Sequence, residues 1–355
     1  MSRFAFAALL GSCLLACGGG KSEYHLALDR GAAAERAGRD DEARAALDDA
    51  AERASSDAQR DEALYRSALV GRRGEAPLET VERLRTFARE RPRADRAPRA
   101  LLDAARILER EGKNEEARGV YDEVVTKYPQ SSGALSAAER VVVLTPGSPS
   151  AAWQKLVERN RERELDAGLR YHWALSLEEA EPRAALREHE EVVRRDPLPM
   201  GRFSDEALLH AARLRRRLGD IDGALQTLEA LSSSRGHSMM VGSYERSSFA
   251  EARFLEAEIL RDDAHRISEA ESAFLRLAND HPTSRLGDDA LFQAATIAHH
   301  EGRASAACRW MKRLSSEHAD SVLRVCEPLF CEADAAPVEK CCGRAAAGFP
   351  TPGCD

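Results

Sequence analysis

The chain has 355 residues, of which 32% are charged and only 5% aromatic, and its formal net charge is −8. An acidic balance argues against a nucleic-acid-binding protein, which would normally be basic, so no nucleic-acid partner is expected. Many charged and few aromatic residues favour amphipathic helices over β-sheets. The length is sufficient for two ordinary domains or for one extended repeat array.

The chain begins with a short apolar segment. Arg3 precedes an apolar run over residues 4–16, which has the length of a signal-peptide core and is too short to span a bilayer. The run ends in Leu14-Leu15-Ala16-Cys17, with a small residue directly before the cysteine. Residues 1–16 are therefore predicted to be a signal peptide that directs the chain out of the cytosol.

This ending resembles the lipobox of bacterial lipoproteins, in which a leucine, a small residue and Gly or Ala precede a lipidated cysteine. The resemblance implies that Cys17 is acylated and anchors the chain to a membrane, with residues 17–23 as a Gly-rich tether. Because Gly18 rather than Asp follows the cysteine, the resemblance also implies an outer-membrane location facing the periplasm. The alternative is an ordinary secretory signal peptide with an incidental cysteine.

One helix–turn–helix pattern recurs over residues 24–321. Its clearest copy begins at Pro98, turns at Gly112, has a small residue at Ala117 and ends at Pro129. Glycine tolerates the positive φ of a chain reversal, a small residue lets two helices approach closely, and proline cannot continue a helix. We call the small residue the close-contact alanine. Parts of the pattern recur at Gly38, Ala43, Pro92, Ala185, Pro197, Gly219, Ala224, Ala270, Pro282, Gly302 and Ala307.

This spacing resembles the tetratricopeptide repeat, a 34-residue helix–turn–helix. The resemblance implies an all-α chain of about eight units, stacked into a right-handed superhelix. One middle unit is degenerate, with residues 146–149 as its turn and Ala151-Ala152 at the close-contact place. An irregular helical bundle is the alternative, whereas the prolines argue against a long coiled coil.

A Ser- and Gly-rich insertion over residues 232–248 interrupts the repeats and is predicted to be an exposed loop. Its Met239, Met240 and Tyr244 either contact a partner or fold back on the array.

Six cysteines remain besides Cys13 and Cys17. They are Cys308, Cys326, Cys331, Cys341, Cys342 and Cys354. An even number at one end of an exported chain predicts disulfides, although the pairing stays open. We expect at least one bridge to tie the tail, residues 322–355, to Cys308 and so to cap the array. A metal site or a redox-active pair at Cys341-Cys342 is the alternative, but no Cys-x-x-Cys motif supports it.

No motif of an enzyme is present, so we predict a non-catalytic protein without cofactor or metal. The adjacent His299 and His300 do not share a helix face and are interpreted as structural. The run of residues 188–191, Glu-His-Glu-Glu, is interpreted as a solvated helix face.

The tetratricopeptide resemblance implies a concave groove, lined by the first helix of each unit, that binds an envelope protein or peptide. The positions it assigns to this partner groove are Arg99, Arg106, Arg170, Leu209, Arg213, Arg216, Arg253, Leu255 and Phe292. Because arginine forms bidentate bonds with carboxylates, an acidic or C-terminal peptide is the expected ligand. The alternative is that these arginines are only solvated.

The lipobox and repeat units such as residues 121–131 together resemble two groups of lipoproteins: the outer-membrane β-barrel assembly lipoproteins of the BamD type and periplasmic cell-division coordinators. The first resemblance implies a scaffold for outer-membrane protein assembly. An organiser of a cell-division, cell-wall or secretion complex is the rival within this class. A thiol-redox protein that acts through the tail is the rival from another class.

We expect Cys17→Ser to release the protein from membranes, because the substitution removes the lipidated thiol. Membrane fractionation in high salt checks this outcome, and Cys13→Ser, inside the predicted signal peptide, is the matched control. Persistent membrane association of the Cys17 variant would show that lipidation is not the anchor.

Overall fold

The computed structural model describes residues 22–74, 76–234 and 246–332, together with residues 341, 349, 351 and 352. Several predictions fall outside the described residues: those for the signal peptide, Cys17, the tether up to residue 21, Met239, Met240, Tyr244, Cys342 and Cys354.

Within the described part of the chain, every regular element is a helix, which confirms the all-α prediction. The α-helices are α1 (Glu23–Arg36), α2 (Asp40–Glu52), α3 (Asp57–Leu69), α4 (Pro77–Glu90), α5 (Ala97–Arg110), α6 (Asn114–Lys127), α7 (Ala134–Val143), α8 (Pro149–Arg159), α9 (Asp166–Leu177), α10 (Pro182–Arg195), α11 (Ser204–Arg217), α12 (Ile221–Ser233), α13 (Ser247–Asp262), α14 (Ile267–Asp280), α15 (Gly287–His300), α16 (Ala304–Glu317) and α17 (Glu327–Cys331). A 3₁₀-helix, Val322–Cys326, precedes α17.

The residues fall into two compact units. The first unit contains the chain up to residue 152 and residues 163–165, and the second contains residues 153–162 and the chain from residue 166 onward. In the first unit each helix from α1 to α7 packs on the next, and in the second unit the same holds from α9 to α16. In chain order, α1 to α6 make three helix–turn–helix pairs and α9 to α16 make four, with α7 and α8 between them.

In four of the helix pairs, the first helix is followed by a glycine in the left-handed conformation, as predicted. At the end of α5, Gly112 has a φ of 76°. The N–H of Lys113 donates to the carbonyl of Leu108 (2.9 Å), and the N–H of Gly112 donates to that of Glu109 (3.1 Å). These bonds satisfy carbonyls that the last helical turn leaves free. The other three are Gly38, Gly219 and Gly302.

The close-contact alanines lie in the core, as predicted. Ala117 is fully buried in α6, and so are its equivalents Ala43, Ala185, Ala224, Ala270 and Ala307. Four residues after most of these alanines, a large side chain is also buried: Leu47, Tyr121, Leu228, Phe274 and Met311. Burying an apolar side chain of this size contributes about 1.5–3 kcal/mol, so this pair of positions stabilises the five units that contain it.

The prolines end the second helices where the sequence predicts. Helices α6, α10 and α14 each stop two residues before a proline, namely Pro129, Pro197 and Pro282. In the degenerate unit, α7 and α8 are separated by a turn in which Gly147 has a φ of 104°.

Two disulfides fix the residues that follow the last repeat. One joins Cys308 in α16 to Cys331 in α17, and the other joins Cys326 to Cys341. The first bridge confirms the prediction that the tail is tied to Cys308. Because Cys341 is bridged to Cys326, it offers no thiolate to a metal and does not pair with Cys342, as the alternatives required.

The stapled segment covers the apolar surface of the last helix pair. Leu323, Leu329 and Phe330 are buried against α15 and α16. The ring of Phe330 lies edge-on to that of Phe292, with centroids 5.8 Å apart. The segment therefore serves as the cap that a terminal repeat requires.

Two glycines in one unit make a matched stability test. A Cβ added to Gly112 or to the exposed, helical Gly119 would extend into open space, but only Gly112 has a positive φ. We expect Gly119→Ala to raise the free energy of unfolding by about 0.5–1 kcal/mol and Gly112→Ala to lower it by about 1–2 kcal/mol. Urea unfolding measures both, and equal shifts of the same sign would contradict the turn assigned to Gly112.

We expect Cys308→Ser/Cys331→Ser to loosen the cap. The bridge closes a loop of 23 residues, so its loss should make opening easier by about 3 kcal/mol. Hydrogen exchange should speed up over residues 322–331 while α13 keeps its protection. Unchanged exchange in the double variant would mean that packing alone holds the cap.

Candidate functional site

A cleft of about 990 Å³ opens in the first unit, between the start of α5 and the loop after α6. We call it the basic cleft. Its charged lining residues are Arg93, Asp95, Arg96, Arg99, Arg106 and Lys127. Two residues predicted for the partner groove, Arg99 and Arg106, therefore line one cleft.

One partly buried carboxylate positions both arginines. Asp103 Oδ2 lies 3.1 Å from Nε of Arg99, and Asp103 Oδ1 lies 3.3 Å from Nη1 of Arg106. The Tyr65 hydroxyl donates to the same carboxylate at 2.7 Å. Attraction to Asp103 raises the pKa of Arg99, and burial, together with the bond to Asp103, raises the pKa of Tyr65 to about 12. Each guanidinium has five N–H donors, so donors remain for a ligand.

In the basic cleft the cations are more exposed than the carboxylates they pair with. The Arg99 and Arg106 side chains are 52% and 51% exposed, whereas that of Asp103 is 14% exposed. Arg96 pairs with Glu62 at 2.5 Å and also lies over the Tyr65 ring, 5.5 Å from its centroid. The surface offered to a ligand is therefore positive even though the chain is acidic.

Two further cations extend this surface. Lys127 Nζ lies 2.6 Å from Oε1 of Glu123 and keeps 61% of its side chain exposed. Arg93 is exposed and makes no ion pair with a residue in the described ranges.

A second cleft, of about 690 Å³, lies in the second unit beside α13 and the loop before α15. We call it the mixed cleft. Its lining includes Arg213, Arg246, Glu251, Phe254, Leu255, Glu258, Arg285 and Leu286. Arg213 pairs with Glu251 at 3.0 Å, and burial raises the pKa of Glu258. Its lining combines charges of both signs with apolar side chains, so it is less uniformly basic than the basic cleft.

The groove prediction is wrong for Arg170, Leu209 and Phe292, which lie in the core. Leu209 and Phe292 are fully buried. Arg170 is also buried, and its guanidinium pairs with Asp166 at 2.8 Å and with Glu188 at 2.6 Å. All three, and also Leu255, stand fifteen residues before a close-contact alanine, a position that faces the interior. Leu255 is only 7% exposed and contributes to the wall of the mixed cleft.

The remaining groove residues are divided between the clefts and the surface. Arg213 lines the mixed cleft. Arg216 is held by Asp263 at 2.7 Å, and Arg253 is held by Glu256 at 2.7 Å. Neither of the latter two lines the basic or the mixed cleft, so the structure does not bring all nine predicted residues together.

The interpretation of residues 188–191 as a solvated face is wrong for His189, which is fully buried. Its Nε2 lies 2.9 Å from Oε1 of Glu178, and Nδ1 of His210 lies 2.8 Å from the same oxygen. Burial lowers the pKa of His189. Burial acts to raise the pKa of Glu178, but the hydrogen bonds from the two rings outweigh this effect and lower the pKa to about 2. His189 stands four residues after Ala185, a core position, and that spacing was the signal that could have revealed it.

Two stretches of the chain, residues 99–131 and 206–235, match the family model of the tetratricopeptide repeat. They correspond to the helix pairs α5–α6 and α11–α12. The chain thus has a helical-repeat fold of the tetratricopeptide type. This fold is a scaffold that typically has no enzymatic activity and generally mediates protein–protein interactions.

Solved structures similar to the chain include other repeat proteins. The tetratricopeptide domain of P58(IPK) is 18% identical, with 87% of this chain and 88% of that chain covered and a TM-score of 0.26. A tetratricopeptide repeat protein from Parabacteroides merdae is 13% identical (88% and 99% covered, TM-score 0.28). A Rap protein complexed with Competence and Sporulation Factor is 11% identical (87% and 95% covered, TM-score 0.36). Likenesses this distant carry no argument about ligands.

No curated protein matches the chain significantly. Among the helices described, none is both long and apolar enough to cross a membrane.

Proposed function

We propose that the chain is a non-catalytic, lipid-anchored scaffold of the bacterial periplasm that binds an acidic segment of an envelope protein in the basic cleft. The observation that carries this proposal is the pair Arg99 and Arg106, held side by side by the recessed Asp103. Two half-exposed guanidiniums with free N–H donors are suited to carboxylates, which they bind through charge-assisted hydrogen bonds.

The polar wall of the basic cleft fits an extended acidic peptide. The cleft is also lined by Gln130, Ser131, Ser132 and Ser136, which offer hydrogen-bonding groups. This lining does not form an enclosed apolar pocket of the kind that holds a small-molecule substrate. The chemistry of the cleft therefore supports recognition of a protein segment.

The anchor and the location rest on the N-terminal sequence. The lipobox-like ending at Cys17 supports tethering to a membrane, and Gly18 supports the outer membrane. A tethered scaffold in the periplasm is suited to outer-membrane protein assembly, which is the role we propose.

Replacing both arginines tests the cleft. We expect Arg99→Gln/Arg106→Gln to weaken binding of an immobilised peptide of alternating Glu and Ser by about tenfold or more, because two charge-assisted contacts are lost. Biolayer interferometry measures the affinity, and a peptide of alternating Gln and Ser should bind neither protein.

The matched control is Arg85→Gln/Arg89→Gln, which makes the same change in net charge at two exposed positions of α4. This control should retain the affinity of the wild type, and thermal melting shows whether both variants remain folded. An equal loss in the two double variants would reduce the effect to net charge and refute the basic cleft as the binding site.

A further inference from the structure

Three side chains from neighbouring elements converge in the second unit, and none of them lines the basic or the mixed cleft. Glu178 directly follows α9, His189 is in the middle of α10, and His210 is in the middle of α11. One ligand atom from each of the three lies within 4.8 Å of the other two. Two imidazole nitrogens and one carboxylate oxygen form a donor set typical of zinc.

We propose that Glu178, His189 and His210 bind a divalent transition-metal ion of the Zn²⁺ type. Sequence analysis predicted no metal for this chain, because the three residues are far apart in the sequence and match no ligand motif. The site is independent of the basic cleft, which lies in the first unit.

The two separations that involve the carboxylate are somewhat shorter than those between the ligands of a tetrahedral zinc site. Zinc bonds of about 2.0–2.1 Å place neighbouring ligand atoms about 3.3 Å apart. Here the carboxylate oxygen lies 2.9 Å from Nε2 of His189 and 2.8 Å from Nδ1 of His210. The carboxylate would therefore have to draw back to admit the ion, which would replace the two ring protons.

Packing already fixes the orientation of the rings. The two imidazoles are stacked with an interplanar angle of 18° and centroids 5.3 Å apart. The ring of Tyr171 lies edge-on to both, at 5.9 Å from His189 and 6.1 Å from His210. Arg217 donates to the backbone carbonyl of Glu178 and so holds the segment that carries the carboxylate.

The site has an opening to solvent. The His189 side chain is fully buried, but those of Glu178 and His210 are 27% and 21% exposed. An ion can enter from this side and keep a water molecule as its fourth ligand, as metal sites with three protein ligands do. Nδ1 of His189 has no hydrogen-bond partner among the described residues, so we expect weaker binding than in sites whose histidines are all oriented by a partner.

The first unit contains a similar cluster, in which the glutamate stands one place earlier in the repeat, and that cluster cannot bind a metal. There Glu109 accepts from the hydroxyl of Tyr121 (3.1 Å) and from Nε of Arg140 (3.2 Å). Tyr121 follows Ala117 by four residues, just as His189 follows Ala185, and Arg140 and His210 are each the seventh residue of their helices. Because burial raises the pKa of Tyr121 to about 12 and arginine stays protonated, only the histidine version offers metal ligands.

This similarity suggests a variant that should fold. His189→Tyr/His210→Arg places a tyrosine and an arginine beside Glu178, as they stand beside Glu109. We expect the tag-free, chelator-treated protein with intact disulfides to bind one Zn²⁺ per chain in isothermal titration calorimetry. The double variant should lose at least about 100-fold in affinity, and Glu178→Gln at least about tenfold. His299→Asn/His300→Asn is the control and should bind as the wild type does.

Substitution with Co²⁺ identifies the ligands by absorption. A spectrum of nitrogen and oxygen ligation that disappears in the His189→Tyr/His210→Arg variant would support the site. Binding that survives in that variant, or that shows a thiolate charge-transfer band, would place the ion elsewhere and overturn the proposal. Absence of stoichiometric Zn²⁺ binding by the wild type would also overturn it.

Discussion

The close approach of paired helices at a buried alanine is the constraint on which the structure depends. Ala117 and its five equivalents are fully buried, and the large side chain four residues later fills the space beside them. Because a methyl group is all that this position holds, the register between helices in a unit is fixed. That register decides which residues of the first helix face inward and which reach a cleft.

The same register explains what the sequence could and could not predict. The helix pairs, their glycine turns, their proline ends and the bridge to Cys308 follow from local chemistry, and each was predicted. The groove was predicted less well, because core and cleft positions are neighbours on one helix. Arg106 and Arg213 stand eleven residues before the close-contact alanine and line clefts, whereas Leu209 and Phe292 stand fifteen before it and are buried. At about 100° per residue the two positions differ by roughly 40°, which sequence spacing alone does not resolve.

Polar residues at core positions were the second source of error. His189 lies four residues after its close-contact alanine, where other units have Leu, Phe or Met. Because its neighbours in the sequence are charged, it was predicted to be a surface residue. Its true environment depends on Glu178 and His210, which only the fold brings together. The position four residues after the close-contact alanine thus holds an apolar side chain in most of these units. In one unit it holds Tyr121, which bonds to Glu109 beside Arg140, and in another it holds His189, which bonds to Glu178 beside His210.

The proposed function depends on an envelope partner that binds in the basic cleft. A photo-crosslinking amino acid placed at Ser136, which lines the cleft, and at Arg85 on α4 tests this binding in cells that carry the full-length protein. We predict a discrete product at Ser136 alone, joined through an acidic segment of an envelope protein and lost when Arg99 and Arg106 are both glutamine. The same products at both positions, or a product that persists without the two arginines, would contradict the proposed function.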